Sequence, residues 1–152
     1  MFLAWIDRRV FQIIYTLLGF IGIIAIGFLI LSVVPVKTID MKQPMTVSPH
    51  TVHPGELIEA LVDYKKYTPW PGMVTWTLEG KDDNGTRRQY VLLVSPTTNP
   101  IGENKRTIAL VIWPQTKPGY YQVRQTVIYD LWGGLRKEIK YHAGEWITVV
   151  TK

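Results

Sequence analysis

The stretch VFQIIYTLLGFIGIIAIGFLILSVV, residues 10–34, decides how this chain is organised. Its 25 residues carry no charge. A helix rises ~1.5 Å per residue and the hydrocarbon core of a bilayer is ~30 Å thick, so ~20 residues suffice to cross it. We therefore predict a transmembrane helix at residues 10–34, preceded by a cytoplasmic tail at residues 1–9. Everything after the helix must then lie on one side of a membrane.

A cleaved signal peptide is the main alternative for this stretch. Signal peptides have a shorter apolar run, usually ~7–15 residues, followed by small residues at the cleavage site. Here the run is longer and ends in Leu31-Ser32-Val33-Val34-Pro35, without an Ala-x-Ala pattern. A buried core helix fits poorly, because the remaining sequence has the period of strands. The stretch therefore indicates an uncleaved anchor.

The basic residues around the helix indicate its orientation. Arg8 and Arg9 precede it, and Lys37 and Lys42 follow it. These counts are equal, but the N-terminal amine adds to the first group, so the positive-inside rule favours a cytoplasmic N-terminus. A tail of about nine residues is too short to fold, so the folded part lies outside. We expect a single-pass protein of the inner membrane with a periplasmic C-terminal domain.

Charge and cysteine content narrow the function classes. The net charge is +5, and removing Asp7, Arg8, Arg9 and Lys37 leaves 14 basic and 11 acidic residues, a net of +3. This value is too small to indicate a nucleic-acid partner. Cysteine is absent, so the domain has no disulfide and its stability depends on its core.

The sequence after the helix predicts an all-β domain. Residues 35–43 form a tether that begins at Pro35, and residues 44–152 form the domain. Short runs of period two are separated by turn residues about every ten positions, which is typical of a sandwich. Strands are predicted at residues 45–48, 56–64, 73–79, 88–94, 107–113, 120–129 and 135–141, with 146–150 finishing the chain and residues 95–105 forming a loop.

About seven strands with a tryptophan on the third indicate an immunoglobulin-like sandwich. Trp76 should lie between the sheets, together with Ile58, Val62, Leu110, Val123 and Val127. Gly119-Tyr120-Tyr121 lies where such folds place a tyrosine corner, in which the hydroxyl group bonds back to the preceding loop. The alternative is that both tyrosines are ordinary strand residues.

Catalytic and metal-binding patterns are weak. His50-x-x-His53 with Glu56 contains possible metal ligands, but it lies in a loop where the spacing fixes no ligand geometry. No serine lies in a nucleophile-elbow pattern, and no cysteine is present to act as a nucleophile. Asp82-Asp83-Asn84-Gly85 is predicted to be a hairpin turn rather than a calcium loop. We expect no enzyme activity, no cofactor and no metal.

Loop aromatics and nearby basic residues suggest a surface patch. The loops that join the second to the third strand and the last two strands meet at one end of an immunoglobulin-like sandwich. Indole rings favour lipid headgroups and basic side chains attract anionic lipid, so this end is a candidate for binding or facing the membrane. The alternative is that the rings pack against their own loops. The candidate patch consists of Lys65, Lys66, Tyr67, Trp70, Trp132, Arg136 and Lys137.

The layout resembles a known group of proteins. It has one N-terminal span followed by Pro54-Gly55-Glu56, Val62-Asp63-Tyr64-Lys65-Lys66-Tyr67, Pro118-Gly119-Tyr120 and Leu135-Arg136. This is similar to small single-span proteins with an immunoglobulin-like periplasmic domain, encoded by tailed phages, prophages and proteobacteria. The resemblance implies location and fold more than activity. It also implies that Lys65 and the vicinity of Glu103 occupy positions that relatives join by a disulfide. One basic and one acidic residue there suggest that an ion pair replaces the bridge, and the alternative is that the two side chains are solvated independently.

These observations favour a non-enzymatic, membrane-anchored binding or assembly module facing the periplasm. A phage protein acting at the host inner membrane, for example in superinfection exclusion, fits this description. The alternative is a structural accessory subunit of a larger membrane complex. The expected partners are the lipid bilayer and another membrane or periplasmic protein, with no nucleic acid and no small-molecule substrate.

Overall fold

The computed structural model describes residues 8–151 and divides the chain into two compact units, Met1–Val36 and Lys37–Lys152. We call the second unit the β domain. Most of the predicted cytoplasmic tail, residues 1–7, lies outside the described residues.

The first unit contains helix α1 (Arg8–Val33). Its segment Val10–Val33 is long and apolar enough to cross a membrane, since 24 residues of helix extend about 36 Å. The Thr16 and Ser32 hydroxyl groups donate to helix carbonyl groups, Thr16 to Gln12 at 2.8 Å and Ser32 to Leu29 at 2.7 Å. Their polar atoms therefore need no partner outside the helix, as a lipid environment requires.

Nine strands follow within the described residues. They are β1 (Ile39–Met41), β2 (Thr46–Ser48), β3 (Thr51–Val52), β4 (Leu57–Lys66), β5 (Gly72–Asp82), β6 (Arg87–Thr97), β7 (Gly102–Val111), β8 (Gly119–Leu131) and β9 (Arg136–Val149). The prediction of an all-β domain after one apolar helix is confirmed at this level, whereas the strand count differs from the seven that the sequence predicts.

Two sheets form the β domain. In the four-stranded sheet, β1 and β2 pair with one edge of β4 and β7 pairs with the other, all antiparallel. The five-stranded sheet has the order β3-β9-β8-β5-β6, in which β3 is parallel to β9 and the other pairs are antiparallel. A 3₁₀ turn at Trp132–Gly134 joins β8 to β9.

The core lies between the two sheets. All six side chains that the sequence assigns to it are buried: Ile58, Val62, Trp76, Leu110, Val123 and Val127. Fully burying an aliphatic side chain of this size contributes ~1.5–3 kcal/mol, so the alternation of apolar residues on β4, β7 and β8 supplies much of the stability. The prediction for Trp76 is confirmed, because only 2% of its surface is exposed.

A tyrosine corner fixes the beginning of β8. The Tyr121 hydroxyl group donates to the Lys117 carbonyl oxygen at 2.8 Å, and the Lys117 N–H donates to the Tyr90 hydroxyl oxygen at 3.1 Å. The rings of Tyr90 and Tyr121 meet edge to face at 5.9 Å. Burial, with Tyr90 nearby, raises the pKa of Tyr121. Tyr121 therefore makes the predicted corner bond, and Tyr120 instead stacks on Trp146.

The predicted tether differs from the structure. Residues 35–43 include β1, which hydrogen-bonds to the end of β4, and the Tyr67 N–H donates to the Thr38 carbonyl oxygen at 3.0 Å. Ile39 is buried. A strand of three residues has too few positions to show a period, so the sequence did not reveal it.

The predicted bounds of the loop at residues 95–105 were wrong at both ends. Pro96 and Gly102 signal a loop, yet both lie inside strands. Pro96 is tolerated because β6 is an edge strand, where proline removes no hydrogen bond from the sheet. Gly102 begins β7 with a φ of 111°, a conformation that favours glycine. The connection is shortened to residues 98–101.

The last two predicted strands are a single one, β9. The break predicted near Gly144 is a bulge, where the register of β8 against β9 shifts between Gln122 and Arg124. A Cβ atom at Gly144 would lie 2.6 Å from Met45 Cε and 3.1 Å from the Val123 carbonyl oxygen, so a larger residue here would require the end of the Met45 side chain to shift.

Candidate functional site

Tyr67, in the predicted patch, lies between two lysine side chains. The Lys37 ammonium group is 4.7 Å from the centre of the ring, and the Lys65 ammonium group is 5.4 Å away. Ring and cation attract each other at such distances. The structure therefore brings Lys65 and Tyr67 together and adds Lys37, which the sequence did not assign to the patch.

Lys66 cannot serve as a membrane-facing residue, which corrects the prediction. It is 2% exposed, and its ammonium group donates to the Asn99 carbonyl oxygen at 2.8 Å. Burial lowers the pKa of Lys66. Side chains of β4 point alternately to its two faces, and Lys66 is on the same face as the buried Tyr64. Its side chain therefore points into the sandwich, whereas the side chain of Lys65 points outward.

The tryptophans of the patch contact each other. Trp70 and Trp132 meet edge to face with ring centres 5.6 Å apart, and both are half-buried. Because these rings pack on each other, neither is fully exposed, and the alternative that the rings pack on loops agrees with this contact. Trp132 has a φ of 50°, because the tight turn after β8 places it in the left-handed region.

The remaining members of the patch lie at the start of β9. An Arg136 nitrogen lies 3.4 Å from a Glu138 carboxylate oxygen, and the Lys140 ammonium group lies 2.9 Å from the other. The bond from Lys140 and the charge of Arg136 lower the pKa of Glu138, against burial. Lys137 is exposed and lies opposite Asp130. Arg136 is therefore tied to its own strand, and Lys137 is open to solvent.

Lys65 and Glu103 are neighbours, as the resemblance implied. They lie opposite each other in the β4–β7 register, with a nitrogen-to-oxygen distance of 3.9 Å. Lys42 also pairs with Glu103. Both partners lie in strands rather than in the predicted loops, which corrects their placement. The side chains are about half exposed, so the ion pair contributes only ~0–1 kcal/mol.

The histidine loop does not assemble a metal site. The His53 N–H donates to the Glu56 carboxylate at 2.8 Å, which caps the turn at Gly55, and a His50 ring nitrogen lies 3.9 Å from a Glu145 oxygen. Within residues 8–151, no group of three or more histidine, cysteine, aspartate or glutamate side chains is placed to hold a metal ion.

The sequence did not reveal the outer face of the five-stranded sheet as a candidate site. We define the outer face as the side turned away from the four-stranded sheet. One half, which we call the apolar half, carries the exposed side chains of Met73, Val91, Val94, Ile139 and Tyr141. The register places Val94 and Tyr141 at the two ends of one row, with Thr75 and Thr126 between them, and aligns Pro96, Met73, Ile128 and Ile139 in the next row.

The other half of the outer face forms a groove of about 670 Å³. We call it the Tyr120–Trp146 groove after its two stacked rings, whose centres are 4.8 Å apart with planes inclined by 7°. Its polar residues are Glu79, Lys81, Arg87, Arg88, Gln89 and Arg124. Sequence alternation could have indicated that these residues share a face, but strand register was needed to bring them together.

Glu79 organises the floor of the groove. Its carboxylate accepts from Arg124 at 2.8 Å, from the Gln89 amide at 2.8 Å and from the Thr77 hydroxyl group at 3.2 Å. At the rim, Asp82 is buried and pairs with Arg88 at 3.0 Å. Burial acts to raise the pKa of Asp82, but bonds from the Thr86 N–H and Arg88 outweigh it and lower the pKa.

The solved structures that resemble this chain share low sequence identity with it. A Pseudomonas fluorescens alkylpurine DNA glycosylase bound to DNA is 14% identical, with a TM-score of 0.44, and the match covers 76% of this chain and 31% of that one. A ceramidase is 16% identical, with a TM-score of 0.41 and coverages of 76% and 19%. A CARDB domain from Pyrococcus furiosus is 18% identical, with a TM-score of 0.37 and coverages of 78% and 100%. No protein-family model and no curated protein matches the chain.

This comparison corrects the expectation that the protein is not an enzyme, because the similar structures include a DNA glycosylase and a ceramidase. The chain spans less than a third of either enzyme, and these identities and TM-scores assign neither activity to it.

Proposed function

We propose that the protein is a membrane-anchored binding or assembly module whose apolar half docks another membrane or periplasmic protein. The observation that carries the proposal is the exposure of this half of the outer face. Tyr141 is 75% exposed, Val94 52% and Ile139 44%, although all three lie on strands of a well-packed sheet. Contiguous apolar patches on soluble surfaces mark interaction sites.

The charges of the whole outer face favour a different protein over a second copy of this chain. The outer face carries four basic residues, Lys81, Arg87, Arg124 and Lys137, and two acidic residues, Glu79 and Asp130. If the outer faces of two copies met, two surfaces that each carry a net positive charge would therefore repel each other. A partner with an apolar centre and an acidic rim fits this surface better, because complementary charges guide association.

We also propose that the sandwich is immunoglobulin-like. Three features support this assignment: the pairing of short β3 parallel to β9, the buried Trp76 on β5, and the tyrosine corner at the start of β8. Such sandwiches commonly serve as surface domains, so the proposal agrees with a binding role.

The resemblance to phage-encoded and proteobacterial single-span proteins adds a setting to this proposal. The β domain would face the periplasm from the inner membrane and engage an envelope protein of the host, for example in superinfection exclusion. The patch around Tyr67 and Lys137 would then face anionic headgroups. Its support is the position of two exposed ammonium groups, those of Lys37 and Lys65, over the single ring of Tyr67. Lys37 is the first residue of the β domain.

Photo-crosslinking in cells tests the docking proposal. A photoreactive phenylalanine analogue at Tyr141 should give one crosslinked partner that also co-purifies in mild detergent at a fixed ratio. Val94→Glu should abolish the product, because a charge in the centre of an apolar contact is costly to desolvate. The matched control places the analogue at Leu57, which is 57% exposed on the other sheet.

Three results would contradict the proposal. Equal crosslinking from Tyr141 and Leu57 would show a non-specific encounter. A crosslinked product that contains only two copies of this chain would show that the apolar half forms a homodimer and does not dock a different protein. Crosslinks to lipid alone would make the outer face a membrane-binding surface.

A further inference from the structure

The Tyr120–Trp146 groove has the features of a ligand site that is separate from the apolar half. Its volume of about 670 Å³ lies within the ~300–1,000 Å³ of typical ligand clefts. Tyr120 is 55% exposed and Trp146 43% exposed, so the stacked pair presents aromatic surface to the solvent. A face-stacked pair on neighbouring strands forms a rigid platform, because each ring holds the other in place.

Two cations beside the platform have no carboxylate partner among the described residues. Lys81 and Arg87 lie directly opposite each other in the β5–β6 register, and Tyr120 lies opposite Lys81 on the other side. Like charges directly opposite each other destabilise a sheet. The other two cations of the groove are neutralised: Arg88 pairs with Asp82, and Arg124 pairs with Glu79. An anion bound between Lys81 and Arg87 would relieve this repulsion.

The groove also offers hydrogen-bond acceptors next to the cations. The Glu79 carboxylate and the Gln89 side-chain carbonyl line it. A ligand that fills the groove must therefore supply hydroxyl donors, an anionic group and a face that stacks on an aromatic ring. A pyranose ring meets the last requirement, because its C–H groups are weakly positive and the face of an aromatic ring is negative.

We propose that the Tyr120–Trp146 groove binds a saccharide that carries carboxylate groups. A sugar ring stacks on the free face of Tyr120, whose other face Trp146 covers. Its carboxylate bonds to Lys81 and Arg87, and its hydroxyl groups donate to Glu79. Guanidinium groups bind carboxylates through paired hydrogen bonds, which gives Arg87 the larger share of the recognition.

A nucleic acid fits this groove less well. Proteins that bind single strands place successive bases on several aromatic rings along a strongly basic channel. Here there is one stacked pair of rings rather than a row of separate rings. The β domain from residue 38 onward carries 14 basic and 11 acidic residues, which is a small excess.

The test is calorimetric titration of the full chain, held in nanodiscs of zwitterionic lipid, with a galacturonate hexasaccharide. Binding should be at least tenfold weaker for the methyl-esterified hexasaccharide, which keeps the rings and loses the charge. It should also be at least tenfold weaker for polyglutamate, which keeps the carboxylates and has no sugar rings. Both Lys81→Gln with Arg87→Gln and Tyr120→Ala should weaken binding of the hexasaccharide at least tenfold.

Two matched variants serve as controls and should bind as the parent does. Lys105→Gln with Arg106→Gln removes two exposed cations from β7 on the other sheet, and Tyr141→Ala removes an exposed aromatic ring from the apolar half. Unchanged thermal unfolding of each variant confirms that it folds. Saccharide binding is measured without any protein partner. The proposed saccharide site and the proposed docking of a protein by the apolar half can therefore fail independently of each other.

Several outcomes would overturn the inference. Absence of hexasaccharide binding would do so, and so would an equal loss in the control variants. Equal binding of polyglutamate would reduce the groove to a charged patch. Tighter binding of oligothymidylate, lost in the same groove variants, would make it a nucleic-acid site.

Discussion

At the scale of single residues, Tyr121 holds the start of β8 against the preceding loop. Its hydroxyl group donates to the Lys117 carbonyl oxygen at 2.8 Å inside a buried environment. Tyr121→Phe keeps the packing of the ring and leaves this acceptor without its partner. A hydrogen bond of this kind contributes ~0.5–1.5 kcal/mol, so the free energy of unfolding should fall by about 1 kcal/mol.

Urea unfolding of the full chain in detergent, followed by tryptophan fluorescence, measures this change. Tyr120→Phe is the matched control, because Tyr120 is the neighbouring tyrosine of the same strand and is 55% exposed. The control should shift the unfolding midpoint by much less. Equal shifts in the two variants would mean that the corner bond does not contribute to stability.

At the scale of secondary-structure elements, the register of β4 against β7 can be tested directly. Lys65 and Glu103 lie opposite each other in this register. Opposite residues of antiparallel strands have Cα atoms ~4.5–5.5 Å apart, which suits the ~4.4–6.8 Å of a disulfide. Lys65→Cys with Glu103→Cys should therefore crosslink under mild oxidation and raise the free energy of unfolding by ~2–4 kcal/mol.

The chain is well suited to this experiment because it contains no cysteine of its own. Lys65→Cys with Lys105→Cys is the control, since Lys105 lies two residues away from the register partner of Lys65. Such diagonal neighbours are ~7–8 Å apart, too far for an unstrained bridge. Equally fast crosslinking in both pairs would show that β7 slides along β4.

The same elements show which parts of the fold the sequence could predict. Long strands with one buried face repeat every two residues, so β4 and β8 were recognised together with core residues such as Trp76. Strand ends were missed where tertiary structure overrides local preference: Pro96 is tolerated on an edge strand, and Gly144 lies at a bulge inside β9 rather than in a loop. β1 is too short to show any period.

The candidate sites were harder to predict than the core, for a physical reason. Sequence alternation tells which residues of one strand share a face, but not which residues of the next strand stand beside them. Tyr120, Lys81 and Arg87 become neighbours only through the registers of three strands. Lys66 shows the converse error: its charge indicated a surface position, although alternation with Tyr64 places it inside.

At the scale of the whole molecule, the orientation of the chain in the membrane decides which partners can reach the two halves of the outer face. Short segments next to a span set its orientation through their basic residues, whereas long domains cross largely regardless of their charge. Arg8 and Arg9 directly precede the apolar segment Val10–Val33. We therefore expect a cytoplasmic N-terminus and a periplasmic β domain.

Single cysteines in this cysteine-free chain can establish the orientation. In spheroplasts of a Gram-negative host, Lys105→Cys on exposed β7 should react with a membrane-impermeant maleimide. Ala4→Cys, before the span, should react only after the membrane is permeabilised, because the bilayer shields it. The Ala4 label must also remain on the full-length chain, since a cleaved signal peptide would carry it away. Labelling of Ala4→Cys alone in intact spheroplasts would place the β domain in the cytoplasm and remove periplasmic partners from consideration.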